Sequence, residues 1–233
     1  MNQATEELFK PDLEMRLAIY ALFFSSILSQ STQPFYKDEA QREVFIKYAG
    51  IISTVFSPAE INQNKNILIT SYLMKGDEGV SISPVFSGKI NISWNLNITG
   101  RTSAFSNDKR AIHSYGWGIS LKPGQPEDNS PWSFHYNSGS FKSYNVISIS
   151  SASTSIIHRL SSKRLNLFFG YTANTLRGID YTSNDYNISK KFDKNHTYFS
   201  LGTMIDFKGI QLFPSFVYGG DYKMLSFGLQ NQF

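Results

Sequence analysis

The chain ends in Tyr222–Phe233, YKMLSFGLQNQF. Leu225, Phe227, Leu229 and Phe233 fall on one side of an extended chain, and Ser226, Gly228, Gln230 and Gln232 on the other. Only Asn231 interrupts the apolar set. Successive side chains of a β-strand point to opposite faces, so this strand has one apolar and one polar face. Nine residues rising about 3.3 Å each, tilted about 40°, cover roughly 23 Å, close to the apolar band of a bilayer.

The same period of two recurs upstream. Ile90–Ile98, INISWNLNI, puts Ile90, Ile92, Trp94, Leu96 and Ile98 on one face and Asn91, Ser93, Asn95 and Asn97 on the other. It predicts a single strand with Ile92, Trp94 and Leu96 on the apolar face and Ser93 and Asn95 on the other. Tyr115–Leu121, Trp132–Asn137, Leu165–Thr172 and Phe199–Phe207 alternate likewise. Weaker strand signals cover about 44–56, 66–74, 80–87, 143–150, 153–160 and 209–218, with Pro84 and Pro214 arguing against undisturbed central strands. No window after Pro34 carries a helical stripe. Turn-rich pieces at 75–79, 122–129, 161–163, 174–196 and 208–209 separate the strands, and no linker divides the body.

Composition narrows the class. Charged residues are 17% of the 233, below the soluble average of about 25%. Aromatics at 15% exclude a disordered chain, and the absence of cysteine excludes disulfides and thiolate metal sites. A mean hydropathy of -0.26 argues against a bundle of membrane-spanning helices. A soluble sandwich would also alternate. Its polar faces would meet water, however, whereas here Trp94, Trp117 and Trp132 lie on apolar faces or near segment ends, where a membrane interface suits them.

The N-terminus reads as an address. Arg16 precedes an apolar run, Leu17–Leu28, and Ser29-Gln30-Ser31 follows. This is the pattern of a signal peptide over 15–31 with a mature start near Thr32, and the run is too short for a spanning helix, which needs about 20 residues. Residues 1–14 carry Glu6, Glu7, Asp12 and Glu14 against Lys10 and read as an extension upstream of the true start, Met15. Beyond residue 31 the chain has 20 basic and 14 acidic side chains, spread without a block, so nucleic acid is not implied.

The terminal strand resembles that of bacterial outer-membrane β-barrel proteins, which typically ends in an aromatic residue read by the assembly machinery. The resemblance implies an all-β fold: a single transmembrane antiparallel up-and-down β-barrel over residues 44–233. Counting back from Phe233 gives about twelve strands, within a range of eight to fourteen. It implies an assembly signal at Leu225, Phe227, Leu229 and Phe233, and interfacial aromatics at Trp94, Trp117 and Trp132. The expected location is the outer membrane, with its lipids and the assembly machinery as partners. Residues 32–43 are then a periplasmic or plug segment. The count places 122–130 and 174–196 outside, and 161–163 and 208–209 in the periplasm. A second likeness, Tyr48–Ala59 (YAGIISTVFSPA), is to the N-terminal segment of the long-chain fatty-acid transporter family and its relatives in type IX secretion. It implies passage of a hydrophobic ligand or a secretion role.

Catalytic signals are sparse. Lipid-acyl hydrolases among small barrels pair His with Ser two residues on. None of His113, His135, His158 and His196 is followed by Ser at that spacing. His113 beside Lys109 and Arg110 reads as a solvated basic turn, and the acid pairs Asp77-Glu78 and Glu127-Asp128 as solvated turn charges. No catalytic, cofactor or metal residue is assigned, and no cofactor is expected. Inward faces are mainly Ser, Asn, Gly and Thr, with Asp206, Arg101 and Arg159 as inward charges. The reading is a non-enzymatic barrel with a structural or narrow-channel, porin-like role, its ligand a small solute. The alternatives are a carrier of hydrophobic molecules and, behind it, a lipid-modifying enzyme.

Overall fold

The computed structural model describes residues 36, 38–61, 65–76, 82–107, 110–125, 130–144, 146–161, 166–182, 190–207 and 210–233. Helix α1 (Glu39–Thr54) precedes ten strands among these residues: β1 (Ile67–Gly76), β2 (Ser83–Asn91), β3 (Leu96–Asn107), β4 (Arg110–Leu121), β5 (Trp132–Ser143), β6 (Ile147–Ser161), β7 (Asn166–Asp180), β8 (Lys191–Phe207), β9 (Ile210–Tyr218) and β10 (Lys223–Gln232). Each strand pairs antiparallel with the next, and β10 returns to β1 to close the barrel.

Closure leaves no sheet edge, so the backbone groups of the wall are paired within it. The seam runs from Leu68↔Gln232 to Gly76↔Met224. Beyond it, Phe233 accepts from the Asn66 and Ile67 amides at 2.9 and 3.2 Å and donates to Ile67 O at 2.9 Å. Deleting Phe233 removes these bonds where the barrel closes. The variant should insert poorly in cells and show a smaller loss on folding into synthetic bilayers, read by heat-modifiable gel migration.

The outer face is apolar along the wall. Ile98, Trp117, Ile119, Tyr136, Tyr171 and Leu201 are all more than a third exposed, while their strand neighbours Thr99, Ser120, Asn137 and Thr172 are buried inside. A band of this kind is the surface a barrel presents to lipid.

Two differences reduce the expected twelve strands to ten, and a third moves a strand boundary without changing the count. Residues 44–54 are helix, not strand. The lumen surrounds α1, so Phe45, Ile46, Tyr48, Ala49, Ile51 and Ile52 are all buried, and no polar stripe marks its period. What the sequence does carry is the cap: Asp38 Oδ1 accepts from the Gln41 amide at 2.8 Å, with Glu39 in the first turn. Next, 147–150 and 153–160 belong to one strand, β6, whose inward positions run unbroken through Ile149, Ser151, Ser153, Ser155 and Ile157. Finally, Ile90–Ile98 is a hairpin. Ile90 pairs with Ile98, and the amides of Ile92 and Ser93 both reach Leu96 O, at 2.9 and 3.1 Å. Asn91–Leu96 is a turn whose residues happen to alternate. Leu96 therefore begins β3 at a strand end rather than at midplane.

This count also moves one connection. The link from Leu121 to Trp132, expected outside, lies at the same end of the barrel as Phe233, together with those from Asn91 to Leu96, Ser161 to Asn166 and Phe207 to Ile210. The stretch 174–196, expected as one outer loop, is strand at 174–180 and 191–196, and the connection from Asp180 to Lys191 is at the opposite end. Pro214 disturbs its strand as anticipated: the β8–β9 ladder passes from Gly202↔Ser215 to Ile205↔Leu212, leaving Thr203 and Met204 out of register pairs. Residues 1–31 lie outside the described residues.

Candidate functional site: a plugged lumen with a basic vestibule

The N-terminal segment threads the barrel from the mouth opposite Phe233 to the Phe233 end. At that mouth Tyr36 Oη and Thr182 Oγ1 are 2.7 Å apart. Arg42 Nε donates to Asp180 Oδ2 at 2.6 Å, with the two side chains 4% and 0% exposed. The Arg42 guanidinium also lies 5.4 Å from the Phe192 ring centre. Lys194 Nζ donates to Glu43 Oε1 at 2.5 Å, Lys47 pairs with Asp221, and Tyr48 Oη donates to Lys223 O at 2.5 Å. These contacts seat the first turns of α1 against β7, β8 and the β9–β10 hairpin.

Halfway down, the end of α1 lies directly on the wall. Ser53 Oγ and Ser151 Oγ are 2.5 Å apart, and Arg101 Nη1 donates to Ser53 O at 3.3 Å while its Nη2 donates to Asn137 Oδ1 at 2.8 Å. Gly116 and Gly139 make this approach possible, because a Cβ on either would overlap the Ser53 carbonyl. Gly139→Val should push the helix end off the wall and destabilise the barrel by about 1–3 kcal/mol, read as a lowered urea midpoint in bilayers.

Below α1 the chain descends extended. The Phe56 ring stacks on His135 with centroids 4.2 Å apart. Ser57 Oγ donates to Gln230 Oε1 at 2.8 Å, and Lys89 Nζ donates to Ser57 O and Ala59 O at 2.7 and 2.8 Å. Glu60 meets Arg159, and Lys122 at 3.1 Å. Burial pushes the Glu60 carboxyl up, but these two cations more than offset that and hold it below its ordinary range. The clamp is therefore intact above the carboxylate range and is lost as acidification passes through the lowered value.

A cavity of about 590 Å³ remains at the Phe233 end, lined by Lys89, Lys122, Arg159, Glu60, Ser133 and His135 among others. Here Ser133 Oγ and His135 Nε2 are 2.9 Å apart. The expected order is His before Ser. The reversed order, Ser133-Phe134-His135, places both on one face equally well, so the spacing carried the signal. Of the inward charges read from sequence, Arg101 is buried in the lumen and Arg159 lines the cavity, whereas Asp206 is exposed near the end of β8. Lys89, 4% exposed, was not anticipated.

The other sequence-derived positions are scattered around the wall. Trp94 lies in the β2–β3 turn and Trp132 at the start of β5, both at the Phe233 end, while Trp117 sits four residues inside the end of β4. Leu225 and Phe227 are exposed on the outer face. Leu229 follows them by alternation but is 6% exposed, paired between Ser71 and Leu212. His113 is exposed on the outer face of β4. Lys109, Asp77, Glu78, Glu127 and Asp128 lie outside the described residues, and among those described no three metal-ligating side chains cluster.

No protein-family model and no curated protein matches the chain. Solved structures do. A bacterial polysaccharide outer membrane secretin superposes with a TM-score of 0.41 at 12% identity, over 72% of this chain and 76% of that one. The KdgM porin gives 0.41 at 7%, over 71% and 99%. LpxR from Salmonella typhimurium gives 0.38 at 9%, over 65% and 72%. This chain is a transmembrane β-barrel of the outer-membrane type. That statement rests on the closed antiparallel wall and its apolar exterior. Inside, the part around α1 is apolar rather than the Ser, Asn, Gly and Thr expected, with Tyr72, Ile112, Phe141, Ile149 and Leu176 buried in one core with the helix. The likeness of Tyr48–Ala59 to the fatty-acid transporters gains no support: that stretch is the end of the lumenal helix and its descent.

Proposed function

We propose that the protein is an outer-membrane barrel held shut by its own N-terminal segment, with a structural or occluded-channel role rather than that of an open pore. The observation that carries this reading is the seating of α1 in the lumen, from the buried Arg42–Asp180 pair to the Ser53–Ser151 contact. A ten-stranded barrel has a narrow interior, and a helix about 10 Å across fills most of it. With the Phe233 end in the periplasm, as the terminal-strand resemblance implies, the vestibule faces the periplasm and the Asp180 mouth faces outward. Planar-bilayer recording tests this. The full-length protein should give no steady conductance, and a stable open step at rest would overturn the reading.

A second reading, acyl-ester hydrolysis, is favoured by the Ser133–His135 contact. In it Ser133 Oγ attacks the acyl carbon, His135 takes the serine proton and returns it to the leaving alcohol, and water then releases the acyl group. Such a base must carry a positive charge in transit. The charges facing His135 are Lys89, Arg159 and Arg101, which oppose it. Hydrolysis of a short-chain p-nitrophenyl ester, abolished by Ser133→Ala, would establish this second reading over the first.

A further inference from the structure

The vestibule has a one-sided charge. Three cations from three parts of the wall line it, Lys89 in β2, Lys122 just past β4 and Arg159 in β6, against Glu60 as the carboxylate among its described lining residues. Glu60 is already shared by Arg159 and Lys122. Lys89 is 4% exposed, and its two hydrogen bonds go to the neutral carbonyls of Ser57 and Ala59. A buried ammonium held only by neutral acceptors sits in a poorly solvated place, where its charge is costly without a counter-charge.

Unused donors line the same space. Arg159 Nε and the Ser120 hydroxyl are buried without a hydrogen-bond partner, and Ser120 as a residue is 5% exposed. Ser120 lies directly across the ladder from His135, whose partner Ser133 adds another hydroxyl. Buried donors normally find acceptors. Here what the lining lacks is a set of negatively charged oxygens, and Arg and Lys donors suit phosphate oxygens well. The volume, about 590 Å³, lies in the range of small-molecule sites, about 300–1,000 Å³.

We propose that this vestibule is a binding site for a small phosphate-bearing solute, entering from the Phe233 end and held by Arg159, Lys122, Lys89 and the Ser120 hydroxyl. Lipid is the less suitable source of the phosphate, because Lys89, Ser120, Ser133 and His135 all face the lumen and not the bilayer. The inference goes beyond the shut lumen but rests on the same seating of the N-terminal segment, whose Ala59 and Glu60 line the vestibule.

Calorimetric titration of the full-length protein in phosphatidylcholine nanodiscs with inorganic pyrophosphate tests it. Saturable binding at one site is expected, weakened at least tenfold in Lys122→Gln/Arg159→Gln. Ser120→Ala removes only an unpaired hydroxyl, so the barrel should keep its heat-modifiable migration while pyrophosphate binds several-fold more weakly. No saturable binding by the unmodified protein, or unchanged affinity in both folded variants, would overturn the proposal. So would a tenfold loss of pyrophosphate affinity in phosphatidylglycerol nanodiscs, which would make the headgroup the occupant.

Discussion

Asp180→Ala should cost about 3–5 kcal/mol, the largest loss expected from any single change in the lumen. Asp180 is fully buried and Arg42 nearly so, and their 2.6 Å contact joins the plug helix to the end of β7. Removing the carboxylate leaves a guanidinium in a poorly solvated space beside the Phe192 ring. Asp180 Oδ1 also accepts from the Thr182 amide and hydroxyl, at 3.0 and 2.9 Å, so the turn that receives Tyr36 loosens too. Removing both charges should cost far less than removing one, because no unpaired ion is then left inside. Urea titration in bilayers of Asp180→Ala beside Arg42→Met/Asp180→Leu checks this. Similar losses in both would mean that the pair's charge is not what seats the helix.

Leu201→Arg should cost about 2–4 kcal/mol, and Leu96→Arg at most about 1. Both residues belong to the apolar set that the alternation defines. Leu201 lies six residues inside the end of β8, 55% exposed to lipid, where an arginine cannot easily reach either interface. Leu96 opens β3 at the turn, where the side chain can extend to the headgroups. Folding free energies in defined bilayers separate the two. Equal costs would return Leu96 to midplane and contradict the hairpin at Asn91–Leu96.

That hairpin marks where the sequence stops being readable. Trp132–Asn137 and Phe199–Phe207 are legible because apolar residues face lipid on one side while Ser133, His135, Ser200 and Gly202 face inward on the other. The turn at Asn91–Leu96 alternates too, since an apolar interface favours Ile92 and Trp94 as much as strand geometry does. Period alone cannot separate the cases. Helix α1 was illegible for a different reason. A stripe appears only when one face meets water, and the lumen buries Phe45 and Ile46 as thoroughly as Ser53 and Thr54. Its residues therefore read as an indifferent apolar run, and the cap at Asp38 was the usable sign. The vestibule was half legible: Arg101 and Arg159 stood out as inward charges, whereas Lys89 fell between the weak strand signal at 80–87 and the segment Ile90–Ile98. Its meaning depends on strands far apart in sequence, Lys89 in β2 and Arg159 in β6 meeting only because the wall closes around one lumen.

The most direct test of a barrel closed by its own N-terminal helix is a covalent link between the two. The chain has no cysteine. Ser53 on α1 and Ser151 on β6 bring their hydroxyl oxygens within 2.5 Å across 98 residues of sequence. In Ser53→Cys/Ser151→Cys, mild oxidation of intact outer membranes should form an intramolecular disulfide in nearly all of the folded protein, read as loss of both thiols to an alkylating mass tag. Two free thiols in folded, heat-modifiable protein would show that the helix does not occupy the lumen.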